Sequence, residues 1–269
     1  MNAQHHEAQC RADEIEARAQ RDLYAAAPAQ LGARVTTFGG ATALCLPAVP
    51  VSYFNRVIGL GMREPATEAT LDQLTRHYAE AGIKAYWIHL SPAARPSSLP
   101  DWLGERGFRL APRRSWAKFL RGSDPLPEAQ TELAVRRAAA ADADRVADIV
   151  CTAYGMPLSF APWFAALVTR PGWQVFLAMK GDRAIASGSL YRAADTAWLG
   201  IGATLPEWRN RGAQSTLIAT RIAAATDGHV LATETGEPVG EEPNPSLSNL
   251  QRAGFQQVCS RLNFAAPMD

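Results

Sequence analysis

Apolar positions along the chain switch between two periods, and the switches mark out its elements. In "DADRVADIVCTAYG", residues 142–155, Val146, Ile149, Val150 and Ala153 recur at helical spacing. "APWFAALVTR", 161–170, reads as a second short helix with proline near its start. Before them, "ELAVRRA" is a short strand. After them, "WQVFLAMKGDRAIASGSLYR" reads as two strands about the turn pair Gly181-Asp182. "TAWLGIGATL", 196–205, is a third strand interrupted by Gly200 and Gly202. Helix "RGAQSTLIATRIAAAT", strand "HVLATET", helix "SLSNLQRAG" and strand "FQQVCSRLNFAA" complete the series. This order predicts an α/β chain of the α+β kind, with mixed, mostly antiparallel sheet flanked by helices.

The earlier half repeats the later part of that order. "ARVTTFGGATALCLPAV" predicts a hairpin about Gly39-Gly40, and "YFNRVIGLGM" a strand ending in glycines. Helix "ATLDQLTRHYAEAG", strand "IKAYWIHL", helix "SLPDWLGERGF" and strand "SWAKFLR" follow. "WLGERGFR" at 102–109 and "NLQRAGFQ" at 249–256 match as helices closed by Gly-Phe, with glycine at a left-handed cap. The matched order predicts a duplication. Between the halves, "RGSDPLPEAQTE" has no apolar period. The expected organisation is an N-terminal helical segment over 1–27, one domain over 28–122, a linker over 123–131 and a second domain over 132–269.

Composition narrows the function classes. The chain has 269 residues, 47% of them hydrophobic, which is enough for two cores. Its 27 basic and 26 acidic residues leave a formal charge of +1, so no electrostatic footprint for nucleic acid or an anionic membrane is expected. No apolar run approaches the roughly 20 residues of a membrane span. The first 27 residues are polar and of mixed charge; they read as an exposed helix and not as a secretory signal. A cytoplasmic protein is expected. Cys10, Cys45, Cys151 and Cys259 have no paired spacing, which fits free thiols. The five histidines form no metal spacing with them, and no metal is expected. The chain contains neither a nucleophile elbow nor a dinucleotide fingerprint.

"WRNRGAQSTL", 208–217, carries the candidate chemistry. It lies between a glycine-broken strand and an apolar helix. The first turn of that helix offers free N–H groups and a positive dipole end, and Gly212 permits close approach to the backbone. Together these form an anion site. Arg209 and Arg211 sit where a helix end repels cations unless an anion offsets them. Two solvated surface arginines would read the same way, and an Arg-x-x-Gly alone is weak.

In this context the chain resembles the GNAT superfamily of acyl-CoA N-acyltransferases over residues 132–265. Arg209-Asn210-Arg211-Gly212-Ala213 match the family's pyrophosphate loop, Arg/Gln-x-x-Gly-x-Gly/Ala, and Gln214 departs from it. "NPSLSNLQRAGF" matches the later helix motif. The resemblance implies two tandem GNAT-like domains, the first degenerate. It also implies acetyl-CoA as co-substrate, with pantetheine on Gly202, Ala203 and Thr204 and the diphosphate on residues 209–214. The implied activity is transfer of an acetyl or other acyl group to a primary amine by direct attack in a ternary complex. The alternative is a non-catalytic acyl-CoA-binding or interaction protein on the same fold. After the first half's strand, "GMREPATEATL" has no glycine at the helix start, and Glu64 there would repel a diphosphate. That half is expected to bind no coenzyme and to help wall the acceptor site.

Glu234 ends an apolar strand and is the candidate base, whereas Glu237, Glu241 and Glu242 read as a solvated loop. In "YGMPLSFAPWF", Tyr154, Phe160 and Trp163 are expected in the core more than in a pocket. The family's tyrosine acid falls at Leu250, which cannot donate a proton. Ser246, one turn earlier on the same face, is the candidate acid through water. Asn249 is expected to hold the coenzyme or fix the loop. The acceptor is a small-molecule or peptide amine, and self-association as a homodimer stays open.

Overall fold

The computed structural model describes residues 3–127, 131–225, 229–238, 240 and 244–267, apart from the side chains of 112–114. Residues 128–130 of the expected linker, with Glu241 and Glu242, lie outside the described residues. Two compact units result. Unit 1 comprises residues 1–119, 234–243 and 257–269, and unit 2 comprises 120–233 and 244–256.

Unit 1 opens with α1 (Ala3–Ala25), followed by the hairpin β1 (Arg34–Phe38) and β2 (Ala41–Cys45), turning at Gly39-Gly40. β3 (Arg56–Ile58), α2 (Glu68–Glu80) and β4 (Trp87–Leu90) form a strand–helix–strand unit with the strands parallel. α3 (Leu99–Glu105) and β5 (Arg109–Arg121) follow. β11 (Gln256–Ala265) lies between β4 and β5 and pairs antiparallel with β4, Asn263 opposite His89. The closing strand of the chain, expected with the second domain, thus lies in unit 1. Phe264 and Ala266 join the core there, which Leu71, Leu74 and Tyr78 of α2, Leu99 and Leu103 of α3, and Phe108 complete. A terminal strand with alternating apolar residues suits either sheet, and its sequence does not name the neighbour.

Helix α1 is not the exposed helix expected. Gln9, Asp13, Glu16 and Gln20 recur at helical spacing and are all buried. Asp13 and Glu16 accept hydrogen bonds from Arg261, and Glu16 also from Lys118. Polarity forecasts exposure only when no partner is supplied, and these partners lie about 100 to 250 residues away in sequence.

Unit 2 repeats the arrangement. β6 (Ala134–Arg137), α4 (Ala143–Tyr154) and α5 (Ala161–Ala166) precede an antiparallel series of β7 (Trp173–Lys180), β8 (Arg183–Ala193) and β9 (Thr196–Thr204). α6 (Ala213–Ala224) then leads into β10 (Val230–Gly236), parallel to β9. α7 (Pro245–Arg252) follows. The strand order in this unit is β10-β9-β8-β7-β6.

The two matched Gly-Phe helix ends take one form. Gly107 and Gly254 both have φ of 82°. The Phe108 N–H reaches the Leu103 carbonyl at 3.0 Å, and the Phe255 N–H the Leu250 carbonyl at 3.1 Å. These long-range cap bonds satisfy carbonyls at the ends of α3 and α7. No helix among the described residues is long and apolar enough to cross a membrane.

Candidate functional site

In unit 2 the site is built on β9 and α6. The β8–β9 register pairs Ser189 with Gly200 and Ser187 with Ala203, so Ile201 and Gly202 together oppose Gly188. One extra residue is a β-bulge, which bends its strand and re-aims the groups after it. Ile201 takes φ of 49°, an outlier for a β-branched residue. On the other edge of β9 the parallel ladder with β10 runs from Val230–Thr196 to Ala232–Trp198. Next to it the Thr233 hydroxyl donates to the Leu199 carbonyl at 2.8 Å. Residues 200–204 lie beyond these paired positions.

β9 leads through Pro206–Trp208, a 3-10 turn, to the loop before α6. Asn210 has φ of 61°, and Gly212, the N-cap residue, has φ of 80°. That backbone requirement explains the glycine. α6 has no side-chain cap and no acidic residue in its first turn. Its first N–H groups therefore remain available to an anion. Arg209 donates to the Ala153 carbonyl at 3.0 Å, and Arg211 lies over the Trp208 ring at 4.8 Å. Among the described residues neither is paired with a carboxylate. Arg209 to Gly212 thus form the turn into α6, with Ala213 its first residue.

The Gln214 side chain turns toward β9. Its Nε2 donates to the Ala203 carbonyl at 3.1 Å and to the Thr204 hydroxyl at 2.9 Å. A Cβ on Gly202 would lie 2.8 Å from the Gln214 Oε1. The glycine is thus matched to the glutamine above it. Gly202, Ala203 and Thr204 all adjoin this contact.

Asn249 of α7 is brought to the same helix end. Its Oδ1 accepts from the hydroxyl of Ser215, in the first turn of α6, at 3.3 Å, and also from Arg252. Ser246 is exposed at the start of α7, its backbone N–H donating to the Asn244 side chain at 3.0 Å. Leu250 is buried. Phe160 and Trp163 are core residues, as expected. Tyr154 instead is exposed, and its hydroxyl donates to the Gly202 carbonyl at 2.7 Å. The helical period placed Tyr154 at the end of α4 but could not show this reach to β9. Arg221 was also missed. It is a single cation in the apolar run "TLIATRIAAA", and it is buried.

Glu234 belongs to unit 1. Its carboxylate accepts from the Lys118 ammonium at 3.1 Å, and its side chain is 6% exposed. Lys118 also donates to Glu16 at 2.7 Å. Burial alone would raise the Glu16 carboxyl, but Arg261, Lys118 and Arg56 hold it well below the usual carboxylate range. Glu237 is not a free loop carboxylate, because Ser115, Gln257 and Ser260 donate to it. Its backbone N–H also donates to the Ser115 carbonyl at 3.1 Å. No group of three or more metal-type side chains occurs among the described residues.

The mixed α/β fold, with its bulged strand and strand–helix–strand unit, is similar to that of solved GCN5-related N-acetyltransferases. Solved structures carry the comparison. A GCN5-related N-acetyltransferase from Kribbella flavida has a TM-score of 0.65 at 17% identity, over 96% of each chain. One from Sphaerobacter thermophilus has a TM-score of 0.60 at 14% identity, over 85% of this chain and 82% of that one. A tandem GNAT protein from the clavulanic acid biosynthesis pathway has a TM-score of 0.59 at 14% identity, over 86% and 80%. No family model and no curated protein matches the sequence.

Proposed function

We propose that the protein is an N-acyltransferase that moves an acetyl group from acetyl-CoA to a primary amine. The supporting observation is the start of α6, an uncapped helix end behind a left-handed glycine and beside two arginines that hold no carboxylate among the described residues. The diphosphate would lie against the N–H groups of residues 211–214, with Arg209 and Arg211 supplying positive charge. Pantetheine would run along Gly202, Ala203 and Thr204, with Asn249 steadying the helix end. The amine nitrogen attacks the thioester carbonyl in the ternary complex; the C–N bond forms and the C–S bond breaks. The nitrogen sheds one proton to water before it attacks and a second as the intermediate collapses. The thiolate takes its proton from solvent, or from Ser246 through water. Glu234, the base expected from the sequence, belongs to unit 1 and is held there by Lys118.

That ion pair, with Leu250 at the position of the family's tyrosine, favours one second reading: an acyl-CoA-binding protein without catalysis. Thiol release with a panel of amines separates the two, since an enzyme frees CoA only when its acceptor is present. Calorimetry tests what both readings share. Wild type should bind one acetyl-CoA per chain, and Arg209→Glu/Arg211→Glu should weaken binding at least tenfold through charge reversal at the diphosphate. Unchanged affinity in the double variant, or no binding by wild type, would overturn the coenzyme site.

A further inference from the structure

Arg221 is 3% exposed, and its guanidinium holds no carboxylate among the described residues. It donates instead to three carbonyls: Leu217 at 3.0 Å on its own helix, Ser189 at 3.2 Å on β8 and Gly200 at 3.2 Å on β9. Ser189 and Gly200 are the last regular pair before the bulge. The cation thus bridges two facing carbonyls where the ladder breaks. Space for it comes from Gly188, the residue opposite the bulge, where a Cβ would lie 2.8 Å from the Arg221 Cζ. Burial lowers Arg221 to about 10, so it remains a cation at neutral pH.

Gln214 lies two turns earlier on α6, on the same face. It bonds the Ala203 carbonyl on the far side of the bulge. The two α6 side chains therefore bracket Ile201 and Gly202, and each sits over a glycine that makes room for it. A φ of 49° at isoleucine persists only where surrounding contacts over-determine it.

We propose that Gln214 and Arg221 are positioning residues, a two-point staple that fixes the α6 start in register with the bulged β9 backbone. The inference rests on the coenzyme reading for its ligand: it assigns the staple to aligning a diphosphate site on the helix with a pantetheine site on the strand. A ligand that spans both sites gains from their fixed spacing, while a ligand of one site does not.

The experiment uses the full chain with Gln214→Met, which keeps the length of the side chain and loses the donor. Arg221→Lys is the conservative partner, a cation unable to bridge both carbonyls. CoA should bind about tenfold more weakly to Gln214→Met, the worth of one or two hydrogen bonds. ADP, which carries only the diphosphate half, should bind as it does to wild type. An equal loss for ADP would make Gln214 a direct diphosphate contact and overturn the staple. Amide hydrogen exchange in the free protein separates this inference from the coenzyme reading. Both variants should exchange faster at residues 200–204 at unchanged global melting temperature. Unchanged exchange there would overturn the staple even if CoA binds, and faster exchange would support it even if CoA does not.

Discussion

Corresponding places in the two units are closed differently. In unit 1, the groups that could take an anion already hold one from the chain. Thr67 caps α2, its hydroxyl accepting the Thr70 N–H at 3.1 Å, and Glu68 lies in the first turn. Arg63, in the segment before α2, pairs with Glu7 and Glu14 of α1. Arg56, Lys118 and Arg261 share the Glu16 carboxylate, and Asp13 and Glu234 complete the set. In unit 2, α6 has no side-chain cap, and Arg209 and Arg211 hold no carboxylate among the described residues. The same supersecondary order is therefore self-neutralised in one unit and left open in the other. Whether a βαβ unit binds a phosphate turns on what the chain puts at the helix start more than on the fold.

The largest test of this contrast is Glu16→Gln. The substitution leaves three buried cations without their shared carboxylate. Removing one partner of a buried ionic cluster costs about 3–5 kcal/mol. Denaturant unfolding should register a loss of that size. Arg209→Glu/Arg211→Glu, at exposed positions, should stay within about 0.5 kcal/mol of wild type. Similar small effects from both would mean that unit 1 is not closed by charge.

His89 sharpens the comparison through pH. It is fully buried, neither ring nitrogen has a hydrogen-bond partner among the described residues, and its ring stacks near Trp116 at 6.3 Å. Burial, then Arg261 and Arg56, push it well below its ordinary 6.5. The folded state keeps the imidazole neutral while the unfolded state takes a proton, so this contribution is present above pH 6.5 and lost as pH falls below it. The loss should grow steadily as the pH falls from 6.5 toward the depressed folded value. Glu16, with its depressed value, adds acid sensitivity only below its unfolded value of 4.5. The stability of His89→Gln should therefore slope less steeply between those two values than wild type, the remainder coming from His77, which burial also holds below 6.5. An equal slope in both would assign the acid sensitivity to other groups.

Much of this was legible in the sequence because it is local. The hairpin at Gly39-Gly40, the Gly-Phe helix ends and the open loop at 209–213 follow from neighbouring residues and backbone preference. The expectation that the first half binds no coenzyme rests on Glu64. The structure adds a self-capped helix and a paired Arg63 at that place. What stayed hidden depends on distant partners. Nothing near Glu16 in sequence announces Lys118 and Arg261, so α1 read as exposed. Glu237 read as solvated for the same reason. β11 has the period of a strand but carries no mark of its neighbour. At the candidate site the loop was legible, but the roles of Tyr154 and Arg221 were not. Their hydrogen bonds go to backbone carbonyls, which every residue has.

A smaller effect than that of Glu16→Gln comes from Thr67→Ala, and it isolates the helix start itself. The variant removes the side-chain cap of α2 but leaves Glu68 and the Arg63 pairs in place. Loss of such a cap costs about 1 kcal/mol of stability. If closure of this place rests on charge as well as on the cap, the freed N–H groups should recruit nothing, because Glu68 still repels an anion in the first turn. Titration with inorganic pyrophosphate should then show the same stoichiometry in Thr67→Ala as in wild type. Acetyl-CoA affinity should not change, since the reading places that ligand on α6. A second pyrophosphate site in Thr67→Ala would show that one hydroxyl alone separates the closed helix start from the open one. Glu68→Gln on the same background would then be expected to strengthen that site.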